Sequence, residues 1–443
     1  MLCTALSCAV AGGSLWFSAS QKKAAEAIRV VSAETVDTSL EVVAEPVLDI
    51  SGLRVNILCD MNAADTFGEE GEVQNELSKA AVMRNEQLES DTGAVITVTP
   101  TADFYLTASN DISAGTYNYN FYAADAAESV SWLLSAGQLH DVSKSKYINT
   151  KKDYYDSAVM EKLSFYGGKY IISSSAADAR LNSAVVVYNR DAEPVGERSL
   201  AQIALDGEFT VGTMLAYQHM AYKSGENPFY GLSYGEEDVF SLYFGVGGMF
   251  VSPADEFEVE PLSNVKSKLS LVKTLVSNDF SVCGTANFAA GEALFSVKKL
   301  SEIPALRESV PNLGILPLPK ANEESEYSGY VNLSGVSVTA IPSGVPDVEK
   351  IEYFVDKMAK ASADYITPIA KYAITAGNAE DEQILEIVAA NASCDLSCLF
   401  GYGDMDKLFA DIVTGKENRL ELKYYERKAL YEKAFSIIEK RFN

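Results

Sequence analysis

The sequence predicts an α/β protein built as two lobes, and three observations carry that prediction. At 443 residues the chain exceeds what one ordinary core accommodates, and 47% apolar residues suffice to fill two. Near the start of the patterned region a strand, a helix and a second strand follow one another, which implies parallel pairing with the helix on a sheet face. Further on, the β-branched run "SAVVVYNRD" reads as a strand buried on both sides, as in a helix-covered sheet.

The elements follow in order. Residues 1–20, "MLCTALSCAVAGGSLWFSAS", carry no charge and read as the apolar part of an export signal, with Cys8 after Ala-Leu-Ser as a candidate lipid anchor. Residues 21–49 lack a periodic core pattern and read as a spacer. "LRVNIL" alternates Leu53, Val55 and Ile57 with Arg54 and Asn56, a strand with one buried face. "NELSKAAVMRNEQLESDTG" places Leu77, Ala80, Ala81 and Leu88 on one side of a helix that Gly93 ends, and "AVITVTP" resumes as a strand. "ESVSWLLSAGQL" reads as a helix closing near Gly137, and "SFYGGKYIISSS" as a hairpin around Gly167 and Gly168. Helices dominate 199–300. Then come a short strand from Ala293 to Val297, the proline-flanked run "LGILPLPK", a strand in "GVSVTAIP", a helix with Ile351, Phe354, Val355 and Met358 on one face, and a long C-terminal amphipathic helix.

Charge and residue counts exclude several function classes. With 62 acidic against 36 basic residues the net charge is −26, which repels nucleic-acid phosphates and anionic lipid. The two histidines, His140 and His219, lie far apart and lack the neighbours of a zinc site or triad, so they read as packed or surface residues. Cys59 and Cys283 read as buried thiols. Cys394 and Cys398, four apart, fit either one helical turn or a small disulfide loop. "FGVGG" lacks the ending of a phosphate-binding loop and reads as a packing turn. Acid pairs such as Glu69-Glu70 and Glu236-Glu237 read as solvated faces. No metal site, cofactor site or catalytic residue is expected.

Six pieces, "SFYGGKYIISSS...SAVVVYNRD", "FGVGGMF", "FAAGEALFSVKKL", "LGILPLPK", "SGVSVTAIPSG" and "ITPIAKYAI", occur in the order seen in the extracellular solute-binding proteins of ABC importers. From about residue 50 to the end the chain resembles the sugar-binding group of that family, the maltose-binding-protein-like proteins. The resemblance implies a type II periplasmic-binding-protein-like fold, two mixed sheets flanked by helices and joined by crossing strands. Lobe one would be 50–173 plus 320–368 and lobe two 174–319 plus 369–443, with crossings at 172–177, 316–320 and 366–372. Pro317 and Pro319 would hold the second crossing extended, since a fixed φ and a missing N–H suit a hinge.

The resemblance also implies function: a monomeric extracellular, cell-surface or periplasmic protein that closes two lobes on a carbohydrate and delivers it to permease subunits. Such a site needs aromatic faces and hydrogen-bonding groups rather than a reactive residue. With 24 tyrosines and two tryptophans, Trp16 and Trp132, tyrosine and phenylalanine must supply most stacking. Position at strand ends selects Asp60, Asn62, Tyr122, Asp125 and Asn182, with Phe244, Met249, Tyr327, Tyr330 and Asn332 from later segments. The chain departs from relatives where Phe209 stands in "GEFT", Phe244 opens the glycine turn and "PIAKYAI" lacks an aromatic pair, so aromatic platforms are fewer. The rival readings are an exported glycosidase working through two carboxylates, an adhesion module, or a binder of peptides or polyamines suited to the negative charge.

Overall fold

The first strand, β1 (Arg54–Asp60), lies between two parallel neighbours, β2 (Val95–Thr101) and β3 (Phe121–Asp125). An antiparallel strand, β9 (Ser337–Ala340), closes the far side, giving the order β2-β1-β3-β9. This computed structural model describes residues 47–68, 75–251, 258–400 and 404–442. The expected export signal with Cys8 and Trp16, residues 21–46 of the expected spacer and the pair Glu69-Glu70 lie outside them.

The alternation in β1 predicted one buried face, but both are buried. Val55, Ile57 and Cys59 pack in one apolar cluster with Leu88, Phe354 and Met358, while Leu58 packs in another with Phe104, Tyr122 and Leu133. A strand between two parallel partners needs helices on both sides, so its polar-looking face is covered as well. Helices Glu76–Thr92 and Val348–Tyr365 contribute to one cluster, and Phe104–Ala114 and Ser131–Ser135 to the other. The first of these begins where the Asn75 side chain accepts the Ser78 amide at 2.9 Å and the Ser78 hydroxyl accepts the Asn75 amide at 3.1 Å, a reciprocal cap. It ends at Gly93, whose φ of 71° is left-handed and whose position would put an added Cβ 2.9 Å from Ser51 Oγ.

The second sheet has five strands. One of its inner strands is β4 (Ala184–Asn189), buried from Ala184 to Tyr188 as the β-branched run predicts, with β7 (Ala293–Lys299) and β8 (Leu313–Leu316) antiparallel on either side. Beyond β7 come β5 (Tyr230–Tyr234) and β6 (Ser281–Cys283), both parallel additions, so the order is β6-β5-β7-β4-β8. The sequence reading of 199–300 as mainly helical misses β5 and β6, which are only five and three residues long and carry no clear alternation. The hairpin expected at 164–175 is reduced to a tight turn in which Phe165 and Gly168 exchange both backbone bonds. The residues after it pair elsewhere, Ile172 with Thr339 and Ser174 with Tyr155.

Two of the passages between the sheets are backbone segments that run in opposite directions and pair with each other, and the chain passes over once more after the helix Val348–Tyr365, from the cluster holding Met358 to the one holding Ile374. Ser183 bridges Val331, the Ala184 amide donates to the Tyr330 carbonyl at 2.7 Å, and the Asn332 amide donates to the Asn182 carbonyl at 3.2 Å. The returning segment reaches the first sheet where the Gly335 amide donates to Asp125 at 2.6 Å. Pro317 and Pro319, expected at a crossing, lie earlier. The Lys320 amide donates to the Phe209 carbonyl and its own carbonyl accepts from Val211, so the proline run stays bonded beside the second sheet. Leu318 there is buried against Gly245, where an added Cβ would meet Leu318 Cβ at 2.7 Å.

Of the cysteines, Cys59 is buried, whereas Cys283 is exposed. An apolar sequence context misleads there because the residue ends a three-residue strand at the sheet's edge. Cys394 and Cys398 are free thiols, the second within the short helix Leu396–Phe400.

Candidate functional site

A cavity of about 510 Å³ opens just past the carboxyl ends of β3 and β5, where ligands of α/β sheets characteristically bind. The β3 side supplies Glu128 and Trp132, the β5 side Glu237 and Phe240, and the returning segment Tyr330, Asn332 and Ser334. Residues after Asp395 add Ser397, Cys398, Phe400 and Asp406, and the C-terminal helix Leu420–Phe442 adds Tyr431.

Buried carboxylates set these elements in place. Asp125 ends β3, and its side chain accepts the Glu128 amide at 2.6 Å, starting the wide turn Ala126–Val130 that leads into Ser131–Ser135. Trp132 emerges from that helix 56% exposed, with the Tyr105 ring edge-on at 5.2 Å. Asp238 accepts the Gly235 amide at 2.6 Å and fixes the turn that presents Glu237, and burial pushes its carboxyl up to about 7. Asp395, fully buried, accepts the amides of Phe250 at 2.6 Å, Val251 at 2.9 Å and Ser397 at 2.8 Å, tying the Leu396–Phe400 helix to the segment after the glycine turn. In that turn the Gly247 and Gly248 amides donate to Phe244 and Tyr243 carbonyls, so neither faces a phosphate.

The aromatic wall is layered. Phe240 meets Tyr330 edge-on with centroids 5.5 Å apart, and Phe244 lies behind Tyr330 at 4.5 Å. The Tyr330 hydroxyl and the Cys398 thiol are 3.2 Å apart, and burial pushes that thiol up to about 12. Glu128, Glu237, Asp404 and Asp406 border the same cavity, and no Lys, Arg or His does so among the described residues.

Of the ten residues selected from sequence, Tyr330 and Asn332 border this cavity. Asp60 and Asp125 sit just behind it as backbone anchors. Asp60 accepts the amides of Asn62, Ala63 and Asp125, and Asn62 is exposed on that exit turn. Asn182 binds the carbonyls of Asn332 and Ser334 and accepts the Ser301 hydroxyl, so it clamps the paired segments. Tyr122 and Phe244 are fully buried in the core. Tyr327 donates to the Ala204 carbonyl at 2.9 Å and accepts the Phe209 amide at 3.2 Å, beside the second sheet. The Met249 amide points to Glu260 at 3.4 Å. The reading missed Glu128, Phe240, Glu237 and the 397–406 group. Glu237 was visible only as half of an acid pair, and Cys398 only as half of a possible bridge.

His140 lies 2.9 Å from the buried Glu352, and His219 packs edge-on against Phe280. Among the described residues no group of three or more His, Cys, Asp or Glu is arranged to hold a metal, and no helix is long and apolar enough to cross a membrane. A second cavity of about 310 Å³ is bordered by Leu77, Leu181, Leu300, Ile374 and Leu385 and has no aromatic wall.

No protein-family model matches the chain, and no curated protein does. Solved structures match along most of its length. The GacH receptor of Streptomyces glaucescens, studied unliganded and with acarbose, superposes with a TM-score of 0.55 at 12% identity, covering 86% of this chain and 99% of that one. The chain has the two-lobe fold of the ABC solute-binding proteins. An extracellular solute-binding protein of family 1 from Alicyclobacillus acidocaldarius gives the same TM-score and identity over 88% of this chain and 99% of its own. The maltose/maltodextrin-binding domain MalE of Bdellovibrio bacteriovorus, bound to maltotriose, gives 0.53 at 12% identity over 87% and 100%.

Proposed function

We propose that the protein is the solute-binding subunit of an ABC importer, which captures a carbohydrate-class solute in the aromatic cavity and releases it unaltered to a permease. The observation that carries this reading is the composition of that cavity: Trp132 offers an exposed ring surface for sugar C–H faces, Phe240 and Tyr330 form a buried aromatic wall, and Asn332 and Ser334 offer hydrogen bonds, drawn from both sheets and the segment joining them. Solute contacting both sides favours the closed arrangement by differential affinity. In this reading each sheet defines one lobe, and the Ser183–Val331 pairing supports a boundary near residue 331 rather than 320. In this reading the protein works as a monomer outside the cytoplasmic membrane, exported by its N-terminal segment, with Cys8 as the candidate site of a lipid anchor.

The test is calorimetric titration of the full chain with a panel of oligosaccharides, followed by Trp132 fluorescence. Saturable binding with a change in tryptophan emission supports the assignment; absence of both across the panel overturns it. One observation favours a glycosidase instead, since Glu128 and Glu237 border a single aromatic cavity. New reducing ends that vanish in Glu237→Gln would establish that second reading.

A further inference from the structure

We infer that the outer face of the C-terminal helix Leu420–Phe442 is a pairing surface for a second copy of this chain, lying antiparallel against the first. With 3.6 residues per turn, the buried Tyr424, Tyr431, Phe435 and Ile438 form one face of that helix. The opposite face of a helix that packs on one side only is polar, yet here it carries Leu422, Tyr425, Leu430 and Ile437, each more than half exposed. Among the described residues no other element holds as many exposed large apolar side chains. Apolar residues on both faces mark a helix with a second contact to make.

The order of residues along that face selects the partner. Leu422, Glu426, Ala429, Lys433 and Ile437 follow at spacings of four, three, four and four, so they form one exposed stripe with Leu430 on its flank. Taken from its other end the stripe is again apolar, charged, small, charged, apolar, with acid and base exchanged. A two-fold axis between Ala429 and Leu430 therefore sets Leu422 against Ile437 of the second copy and Glu426 against Lys433 of the second copy, and repeats both contacts on its other side. Near the axis Ala429 and Leu430 meet the same two residues of the second copy. A parallel arrangement opposes Glu426 to Glu426 and Lys433 to Lys433, so charge favours the antiparallel one. Within one chain Glu426 is held by Lys423 at 2.8 Å, an exposed pair that is cheaply exchanged.

No residue of the stripe borders the solute cavity, and Tyr431, which does, lies on the buried face. Each copy therefore keeps its own access to solute, and the pairing stands apart from the function proposed above. One helix face per copy covers less than the roughly 1,000 Å² that stable interfaces clear, so the pair is weak and reversible. Single chains capture solute in dilute solution, and pairs accumulate where the protein is concentrated. The net charge of −26 on each copy opposes approach, and at about 150 mM salt a screening length of about 8 Å removes most of that repulsion.

Sedimentation velocity of the full chain from about 5 to about 500 μM, at about 150 mM salt, tests the pairing. A single-chain species that gives way to a two-chain species as concentration rises is expected. Leu430→Asp should weaken the association at least about tenfold, since it places a charge beside the axis. Glu426→Lys and Lys433→Glu should each weaken it about tenfold, because like charges then meet on both sides of the axis. Mixing those two variants should restore pairing, since every facing pair is again opposite in sign. A single species at every concentration overturns the inference, and so does an association that all three substitutions leave unchanged. Charge variants that stay single when mixed overturn the antiparallel arrangement on which it rests. Melting curves identify any variant that fails to fold. Should a charge variant do so, the double variant Glu426→Lys, Lys433→Glu takes the place of the mixture and must pair as wild type does.

Discussion

The carboxylate of Asp125 accepts the amide of Gly335 at 2.6 Å, joining the end of β3 to the segment that returns from the second sheet. Its other oxygen accepts the Glu128 amide, so one buried side chain sets both the passage and the turn that carries Trp132. Asp125→Ala is therefore expected to cost about 2 kcal/mol of stability and to weaken solute binding indirectly. Denaturant unfolding beside titration checks this: lost affinity at unchanged stability would restore Asp125 as a direct solute contact.

Gly335 itself has φ of 74° with nothing within 4 Å of an added Cβ, so only backbone conformation opposes a side chain there. Gly335→Ala should destabilise by about 1 kcal/mol through that strain. Because the strain falls in the passage, closure should suffer more than either sheet. Small-angle scattering with and without a saturating sugar tests it, and a variant that contracts as fully as wild type would detach this position from lobe motion. The Pro317→Ala, Pro319→Ala double variant is expected to contract normally.

Stability should fall with rising pH across a defined window. Burial pushes the Asp238 carboxyl from 3.8 up to about 7, with the Gly235 amide opposing. The folded chain thus holds a proton that the unfolded chain releases. The contribution is full below about pH 4, declines as pH rises to about 7, and is then lost. Asp238→Asn should remove that slope, a difference on the order of 1–4 kcal/mol between the two proteins across the window. Parallel melting curves at pH 4, 5.5 and 7.5 that stay evenly spaced would refute it.

Asp381 is fully buried and holds Arg190, Arg307 and the Ile315 amide, pinning β8 to the helix Ala379–Ala390. Asp381→Ala leaves two guanidinium groups uncompensated and should cost about 3 to 5 kcal/mol. Chemical denaturation reads the effect, and a loss below about 1 kcal/mol would mean that solvent replaces the carboxylate.

Thiol labelling should order the described cysteines by position rather than by sequence context. Cys283 is exposed at a sheet edge and should react first, while Cys59 and Cys394 should react only on unfolding. Cys398 should be slow, since its thiol is pushed up to about 12, and slower still with solute bound. Mass spectrometry after timed alkylation gives the order, and early modification of Cys59 would contradict the burial of β1.

The fold was legible wherever a local pattern met a global requirement. The capped helix Glu76–Thr92 between two strands announces parallel pairing, and the run in β4 announces a strand covered on both faces. Short strands such as β6 carry too few residues for a period to show. The site was less legible for a physical reason. Asp60, Asp125 and Asn182 are polar residues at strand ends, as solute contacts would be, but their hydrogen bonds are spent on backbone amides and carbonyls. Glu237 looks in sequence like any solvated acid, and what makes it part of the cavity is the buried Asp238 beside it, which holds the turn. Whether a side chain anchors or faces the solute depends on partners distant in sequence, which neither spacing nor composition encodes.

Asp125 and Gly335 are 210 residues apart in the chain, and everything between them includes the whole of the second sheet. Until β9 and the helix Val348–Tyr365 have left the ribosome, the first sheet has an open edge at β3 and one of its apolar faces is only partly covered. The N-terminal half therefore cannot complete its own fold in the order in which it is made. Such long-range closure slows folding and exposes an unpaired strand in the interval. Lateness of this kind keeps the leading half of the chain pliable while its trailing half is still being synthesised.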